Sequence, residues 1–367
     1  MSRNWRVRAL AVLAAAGLSA GAVTLVATPA QAVTCPTVNS STGAVTPAPT
    51  PGVDWQGCDL AGGYMPSADL SGANLSGTDM STVYLSSADL TGANLSNANL
   101  ASSYLESADF GSADLAGANL DSTTLVSGIL TGADLNAATL NNANLTGLHS
   151  GSVTGKPSEL PSGWSIVAGY LLGPQAFVQD ASLSGANLSG LDLTQADFTN
   201  ANLSGATLTG ADFQSSALAG ANLTSASAGD ADFSMAGFTG AKLSGADLTG
   251  SDLSQTNMTS ADLSGANLAS TNMGSANLTG ANLAKIRSGG ITGTPYLQYL
   301  PTNWTFSGGY FWGPGALRGA RRAADLLEAR NRVPDRPAGQ PRQCLAAWRG
   351  PEERRPGHGA AHRRGSQ

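Results

Sequence analysis

One large apolar residue falls on every fifth position through two long stretches of the chain. The first stretch runs from Leu60 to Leu145 and has 18 such positions, and the second runs from Leu183 to Leu283 and has 21. All but Ala228 of these positions hold Leu, Phe or Met. A helix repeats every 3.6 residues and a strand every 2.0, so neither keeps every fifth side chain on one face. The period therefore predicts a solenoid built from five-residue sides.

Residues that lie 20 positions apart share their character, which predicts four sides in each coil. Three ladders show this spacing in the slot just before the large apolar residue. They are the tyrosine ladder (Tyr64, Tyr84, Tyr104), the first aspartate ladder (Asp69, Asp89, Asp109) and the second aspartate ladder (Asp192, Asp212, Asp232, Asp252). Coils stacked at the spacing of strands in a sheet would place successive members about 4.8 Å apart.

The repeated unit resembles the A(D/N)LxG motif of the pentapeptide repeat family. Residues 73–77 read Ala-Asn-Leu-Ser-Gly and residues 246–250 read Ala-Asp-Leu-Thr-Gly, and the resemblance covers residues 57 to 286. It implies an all-β fold, a right-handed quadrilateral β-helix with the leucine and the small residue inside. The 39 sides predict about ten coils, interrupted by loop excursions.

Residues 1–32 have the pattern of an export signal. Arg3, Arg6 and Arg8 precede an apolar run from Ala9 to Val26, and residues 30–32 read Ala-Gln-Ala, as at a signal-peptide cleavage site. The alternative is a membrane anchor that stays attached. We expect cleavage and a secreted, extracellular protein without a membrane span, in the manner of an exported bacterial member of the family.

Residues 33–56 form an N-terminal arm with a proline-rich linker. The arm carries Cys35, and Cys58 occupies the small-residue slot of the first repeat. In an exported protein two such cysteines are expected to pair, which would tie the arm over an open β edge. Two buried free thiols are the alternative, and a zinc site is disfavoured because no nearby residue completes four ligands.

The five-residue period breaks twice, and the two interruptions resemble each other. We call residues 57–148 block 1, 149–180 the first excursion, 181–286 block 2 and 287–317 the second excursion. Trp164 and Tyr170 recur as Trp304 and Tyr310, and the second copy has two extra residues. One interpretation is a loop leaving the solenoid, with Trp164 capping exposed core. The other is a recognition surface for sugars or proline-rich chains.

The charge of the chain changes sharply near its end. Residues 33–317 contain four basic and 20 acidic residues, a net charge of −16, whereas residues 318–367 contain 12 Arg and five acids. This Arg-rich tail is interpreted as a disordered segment, a helical cap or the product of a frameshift. The acidic body disfavours direct nucleic-acid binding, since phosphate contacts need cations.

The body of the chain offers little material for catalysis. His149 is its single histidine, so no catalytic triad is expected, and we predict a non-enzymatic protein without cofactor or metal. The aspartate ladders admit two interpretations, a stripe that binds Ca²⁺ or residues that cap corners and keep the solenoid soluble. The tyrosine ladder is either an apolar strip for a partner or a set of rings that pack on each other.

The sequence favours a secreted scaffold or binding protein of unknown ligand. Its partner would be an unidentified protein or a cell-surface polymer, and the protein would be a monomer or an end-to-end dimer. The alternative comes from the family resemblance, since some pentapeptide repeat proteins mimic DNA and bind DNA gyrase or another type II topoisomerase. The export signal and the two excursions disfavour that alternative.

Overall fold

The computed structural model describes residues 33–316, in which the secondary structure is β with one short 3₁₀ helix (Leu297–Tyr299). The predicted signal peptide (1–32) and the Arg-rich tail (318–367) lie outside the described residues. Eight short strands pair in chain order into four two-stranded sheets. The strands are β1 (Thr37–Val38), β2 (Val45–Thr46), β3 (Ser165–Val167), β4 (Tyr170–Leu172), β5 (Asn267–Ala269), β6 (Arg287–Gly289), β7 (Thr305–Ser307) and β8 (Tyr310–Trp312). Most of the fold lies outside these strands.

Parallel β-bridges between residues 20 positions apart build the body of the protein. Asn74 bridges to Asn94, and Asn94 bridges to Asp114. Between these bridges the N–H of most large inward residues donates to a carbonyl 19 positions later, as from Leu75 to Asn94 at 2.7 Å. Strands β5 and β6 continue the same parallel pairing. The backbone groups are therefore satisfied between successive coils, which matches the 20-residue spacing of the ladders.

Each five-residue side ends in a tight corner. The N–H of Ala73 donates to the C=O of Leu70 at 3.0 Å across such a corner. The corner residue takes a positive φ, as in Gly72 (φ 64) and Ser87 (φ 59). This conformation is open to glycine and rarer for other residues, which is why Gly and small polar residues fill the slot two places after the large apolar residue.

The interior is a column of large and small apolar side chains. Leu75 and Ala73 are both fully buried, and most equivalent positions of both blocks are buried, with Ala186 and Leu191 partly exposed. Burial of each large side chain contributes roughly 1.5–3 kcal/mol. The column consists of two clusters, one from Trp55 to Leu171 and the other from Leu172 to Phe311. The division falls within the first excursion.

The N-terminal arm covers the first coil of block 1. A disulfide joins Cys35 to Cys58, whose Cα atoms lie 5.4 Å apart, so the predicted pairing is confirmed. Val38 and Val45, on the paired strands β1 and β2, pack against the core, and Ala44 bridges to Tyr64 as a preceding coil would. The arm thus occupies an edge that stacked coils leave open.

Both excursions fold as β-hairpins packed on the core rather than as loops leaving the solenoid. In the first, β3 pairs with β4 across the turn residues Ala168 (φ 51) and Gly169 (φ 80). In the second, β7 pairs with β8 across Gly308 (φ 58) and Gly309 (φ 78). Two turn residues with positive φ match the twist of the flanking strands.

Candidate functional site

The aspartate ladders stand on the outer faces of the coils. The structure bridges Asp69 to Asp89 and Asp89 to Asp109. The second ladder is bridged in the same way through Asp192, Asp212, Asp232 and Asp252. Each carboxylate accepts a hydrogen bond from the backbone N–H two residues later, as Asp89 does from Thr91 at 2.8 Å and Asp232 from Ser234 at 2.8 Å. These bonds give the aspartates a local role in closing the corners.

Hydrogen bonds stabilise the charged form of four carboxylates, those of Asp79, Asp89, Asp197 and Asp247. The backbone N–H of Ser81 lowers the pKa of Asp79 below its ordinary value of 3.8, against the opposing effect of burial. The Thr249 hydroxyl, 2.6 Å away, lowers the pKa of Asp247, again against burial, and Asn267 and Arg287 act in the same direction. The ionised form of these carboxylates is therefore stabilised by hydrogen bonds from the corner residues and by neighbouring side chains.

Residues 33–316 contain no cluster of three or more His, Cys, Asp or Glu side chains suited to hold a metal ion. The ladder carboxylates are engaged with their own corners instead. Within the same residues, no helix has the length and apolarity needed to cross a membrane.

The tyrosine ladder is an exposed aromatic strip on block 1. The rings of Tyr84 and Tyr104 stack with centroids 4.3 Å apart, and Tyr64 tilts against Tyr84 at 5.7 Å. Between 40% and 56% of each side chain remains exposed. Hydrogen bonding with Tyr104 raises the pKa of Tyr84. The rings pack on each other and still present a surface, so both interpretations of the ladder are compatible with the geometry.

The hairpin of the first excursion connects the two halves of the core. Leu171 is buried in the cluster of block 1, and its neighbour Leu172 is buried in the cluster of block 2. Trp164 packs against both clusters. Tyr170 reaches forward, and its hydroxyl accepts the backbone N–H of Ser182 at 3.0 Å. The predicted loop aromatics thus anchor the hairpin between the blocks.

Within the first excursion, a groove of about 460 Å³ lies between residues 155–160 and the start of β3. Its lining is largely apolar with one cation and consists of Gly155, Lys156, Pro157, Leu160, Trp164, Ser165 and Ile166. The backbone of Lys156 is fixed to block 1, because its C=O accepts the N–H of Ala137 at 2.8 Å. An apolar groove with a few polar groups is typical of a binding site.

The second excursion repeats the hairpin with different side chains. Phe311 takes the place of Leu171 and is buried, and Trp304 takes the place of Trp164 but packs against one cluster. Tyr310 lies beside Trp312, with ring centroids 5.8 Å apart. The position of Lys156 is held by Thr294, whose C=O accepts the N–H of Ser275 at 2.8 Å.

The sequence indicated the aromatics of the excursions and the recurrence of Ser150 as Ser288, but not Lys156 or Ile166. Two short apolar runs separated by Ala168-Gly169 are the hairpin signal that could have indicated the edge strand. Lys156 is also the one Lys or Arg between positions 33 and 241. Its isolation in an acidic body was a usable signal for a site.

The family model for pentapeptide repeats matches the chain in eight copies, over residues 52–81, 84–121, 113–147, 179–214, 216–255 and 247–283. These ranges cover more than half of the chain. A comparison with curated protein sequences gives no match.

Several solved pentapeptide repeat structures are similar to the chain. HetL, involved in heterocyst differentiation regulation in the cyanobacterium Nostoc sp. strain PCC 7120, is 25% identical, covering 67% of this chain and 86% of HetL with a TM-score of 0.19. Rfr23 from the cyanobacterium Cyanothece 51142 is 24% identical over 32% of this chain and 91% of Rfr23, with a TM-score of 0.25. Trypsin-treated QnrB1, a plasmid-mediated fluoroquinolone resistance protein, is 17% identical over 66% of this chain and 89% of QnrB1, with a TM-score of 0.31.

Proposed function

The chain belongs to the pentapeptide repeat family, and on that basis we propose that it is an exported, non-enzymatic β-solenoid that serves outside the cell as a scaffold or binding protein. Its partner in this proposal is a protein or a cell-surface polymer. The solenoid supplies a rigid frame, and the excursions present aromatic side chains from it. Segments held by a rigid scaffold often carry binding function.

The disulfide between Cys35 and Cys58 is the observation that carries the proposal. The Cys58 side chain is buried, and the bond fastens the arm across the first coil. Disulfides persist in oxidising compartments and are rare in the reducing cytosol. An oxidised bond at this place supports a protein that folds after export, in agreement with the signal pattern of residues 1–32.

The chemistry of the body supports a binding role more than a catalytic one. His149 packs its ring against Phe177, with centroids 4.2 Å apart. The aspartates serve the corners, and the lining of the groove is mostly apolar, with Lys156 and Ser165 as its polar side chains. Binding needs only the shape and charge that the groove provides.

We further propose a right-handed quadrilateral coil with about ten turns. Bridges at intervals of 20 residues and inward side chains at intervals of five support four sides in each coil. The domain limits given above, from the signal peptide to the tail, belong to the same proposal. The mature protein would be a monomer or an end-to-end dimer.

A second candidate function is mimicry of DNA toward a type II topoisomerase such as gyrase. The net charge of −16 over residues 33–317 favours it, because an acidic surface attracts proteins that bind DNA. The division of the core at the first excursion and the disulfide favour the extracellular function instead. The two functions require different compartments, which makes them separable by experiment.

The test is the intact mass of the protein recovered separately from culture medium and from cell lysate of a secreting bacterial host. We expect a species in the medium that begins at Val33 and is lighter by two hydrogens. A matched variant with Ala30→Arg and Ala32→Arg should accumulate uncleaved in the cells. A cytoplasmic, reduced species that retains residues 1–32 would contradict the proposal and make gyrase inhibition the next assay.

A further inference from the structure

We propose that the first excursion binds an extended peptide, which adds as a third strand along β3, inserts an apolar side chain into the groove and pairs a single carboxylate with Lys156. This inference rests on the proposed binding function and names the chemistry of the partner. Three features carry it: an open strand edge, an apolar groove beside that edge and an isolated cation.

The outer edge of β3 is free to accept a strand. Val167 and Tyr170 flank the two-residue turn, so Ile166 and Leu171 form the non-hydrogen-bonded pair of the hairpin. The structure agrees, because the Leu171 N–H points away from β3 and donates to the Ser150 hydroxyl at 2.9 Å. The N–H and C=O of Ile166 therefore point to the opposite edge, toward the groove that Ile166 lines.

The groove beside this edge fits an apolar side chain. Pro157 is buried there, and Leu160 and Trp164 are half-buried. Gly173 packs against the indole of Trp164 so closely that an added Cβ would collide with the ring. The indole is therefore held in place before a ligand arrives. In strand addition, backbone hydrogen bonds provide affinity and side-chain pockets provide selectivity.

Lys156 sets the charge of the ligand. Its side chain is exposed at the groove, and no other Lys or Arg occurs between positions 33 and 241. A carboxylate on the same face of the peptide, two residues from the apolar side chain, would lie toward this ammonium group. The acidic body repels a longer run of carboxylates, so a single one fits best.

The second excursion supplies a control within the same molecule. Phe306 and Phe311 are paired in the same register, and the Phe311 N–H donates to the Ser288 hydroxyl at 3.2 Å. Thr294 replaces the cation, and two extra residues alter the segment that precedes Leu300. We therefore expect the charged peptide to bind at the first excursion alone.

The experiment is calorimetric titration of the full mature chain with the peptide acetyl-Thr-Leu-Thr-Glu-Thr-amide. We expect Lys156→Thr, which installs the residue of the second excursion, to weaken binding about tenfold. Replacement of the peptide's Glu by Gln should cause a loss of the same size. The matched control is Lys242→Thr, which removes an exposed lysine on block 2 and should leave binding unchanged.

A second pair of peptides tests the strand addition, since neighbouring backbone amides point to opposite sides. One peptide carries an N-methyl group on the leucine nitrogen, and the other carries it on the nitrogen of the next residue. Only one of these two nitrogens can donate to β3, so we expect one peptide to lose binding and the other to keep it. Equal binding of both, or binding unaffected by Lys156→Thr, would overturn the inference. So would binding of oligogalacturonate, an acidic sugar, with no binding of the peptide. Because these experiments use purified protein, a negative result would overturn the peptide-binding site without bearing on the proposed export.

Discussion

The two excursions share one frame and differ in what they present to solvent. In each, a serine hydroxyl holds the second strand of the hairpin, and a glycine packs on a tryptophan ring. The groove of the first excursion presents Lys156, whereas the second presents Thr294 and two exposed rings, Tyr296 and Tyr299. Features that recur within the chain are structural, and those that differ are the candidates for ligand selectivity.

The surroundings of the two hairpins differ as well. Leu172 is buried in the core of block 2, whereas Trp312, at the same position in the second hairpin, is half-buried. Trp164 contacts both core clusters, and Trp304 contacts one. The first hairpin therefore stabilises the connection between two blocks, and equal substitutions should cost more there than in the second hairpin.

The largest difference is expected at the tryptophans. Trp164→Ala should lower the free energy of unfolding by about 3 kcal/mol, because it removes packing from two clusters at once, and Trp304→Ala by about 1–2 kcal/mol. Chemical denaturation followed by circular dichroism measures both. Equal losses would show that the first hairpin does not connect the blocks in the way its contacts indicate.

Substitution of the packing glycines should affect both hairpins. A Cβ at Gly173 or Gly313 would overlap the adjacent indole, so Gly173→Ala and Gly313→Ala should each cost about 2 kcal/mol through overpacking. Thermal unfolding gives the comparison. Gly72→Ala is not a suitable control, because its positive φ adds strain of a different kind. A change near zero at either glycine would contradict the shared frame.

The serines that hold the hairpins should show a smaller difference. Ser150 bonds both the N–H and the C=O of Leu171, at 2.9 and 3.4 Å, whereas Ser288 bonds the N–H of Phe311 at 3.2 Å. Ser150→Ala should therefore cost about 1.5 kcal/mol and Ser288→Ala about 1 kcal/mol. Faster amide exchange at Leu171 would report the lost bond directly. A stable, still protected Leu171 in Ser150→Ala would contradict this assignment.

The smallest effect concerns acid stability near the second excursion. The folded-state pKa of Asp247 is lowered, so its contribution is present above the ordinary value of 3.8 and is lost as pH falls below it. The exposed site limits this contribution to about 0.5 kcal/mol or less. Arg287→Gln, at the position equivalent to His149, should raise the pKa of Asp247 slightly in an NMR titration. A lower pKa in that variant would contradict the stated cause.

The sequence predicted the solenoid because its core residues recur at a strict interval of five. Every fifth residue from Leu60 to Leu145 faces inward, and bridges join residues 20 apart, as the ladders indicated. The pairing of Cys35 with Cys58 was also predictable, because Cys58 lies in the first repeat and Cys35 lies in the arm that precedes it. Each coil contacts the next at a fixed separation of 20 residues, so the repeats within one sequence are enough to predict these contacts.

The groove was not predictable from the same pattern. It depends on where β3 lies relative to residues 155–160, an arrangement that no repeat specifies. The expected loop is a hairpin because Ala168-Gly169 closes a tight turn between apolar strands. Only the placed hairpin brings the edge of Ile166, the ring of Trp164 and the charge of Lys156 together.

The most direct test of the account is amide hydrogen exchange of the full mature chain, with and without acetyl-Thr-Leu-Thr-Glu-Thr-amide. We expect new protection at Ile166 in the first excursion and unchanged exchange at Phe306 in the second. Equal protection at both sites, or protection at neither, would contradict a charge-selective binding site in the first excursion.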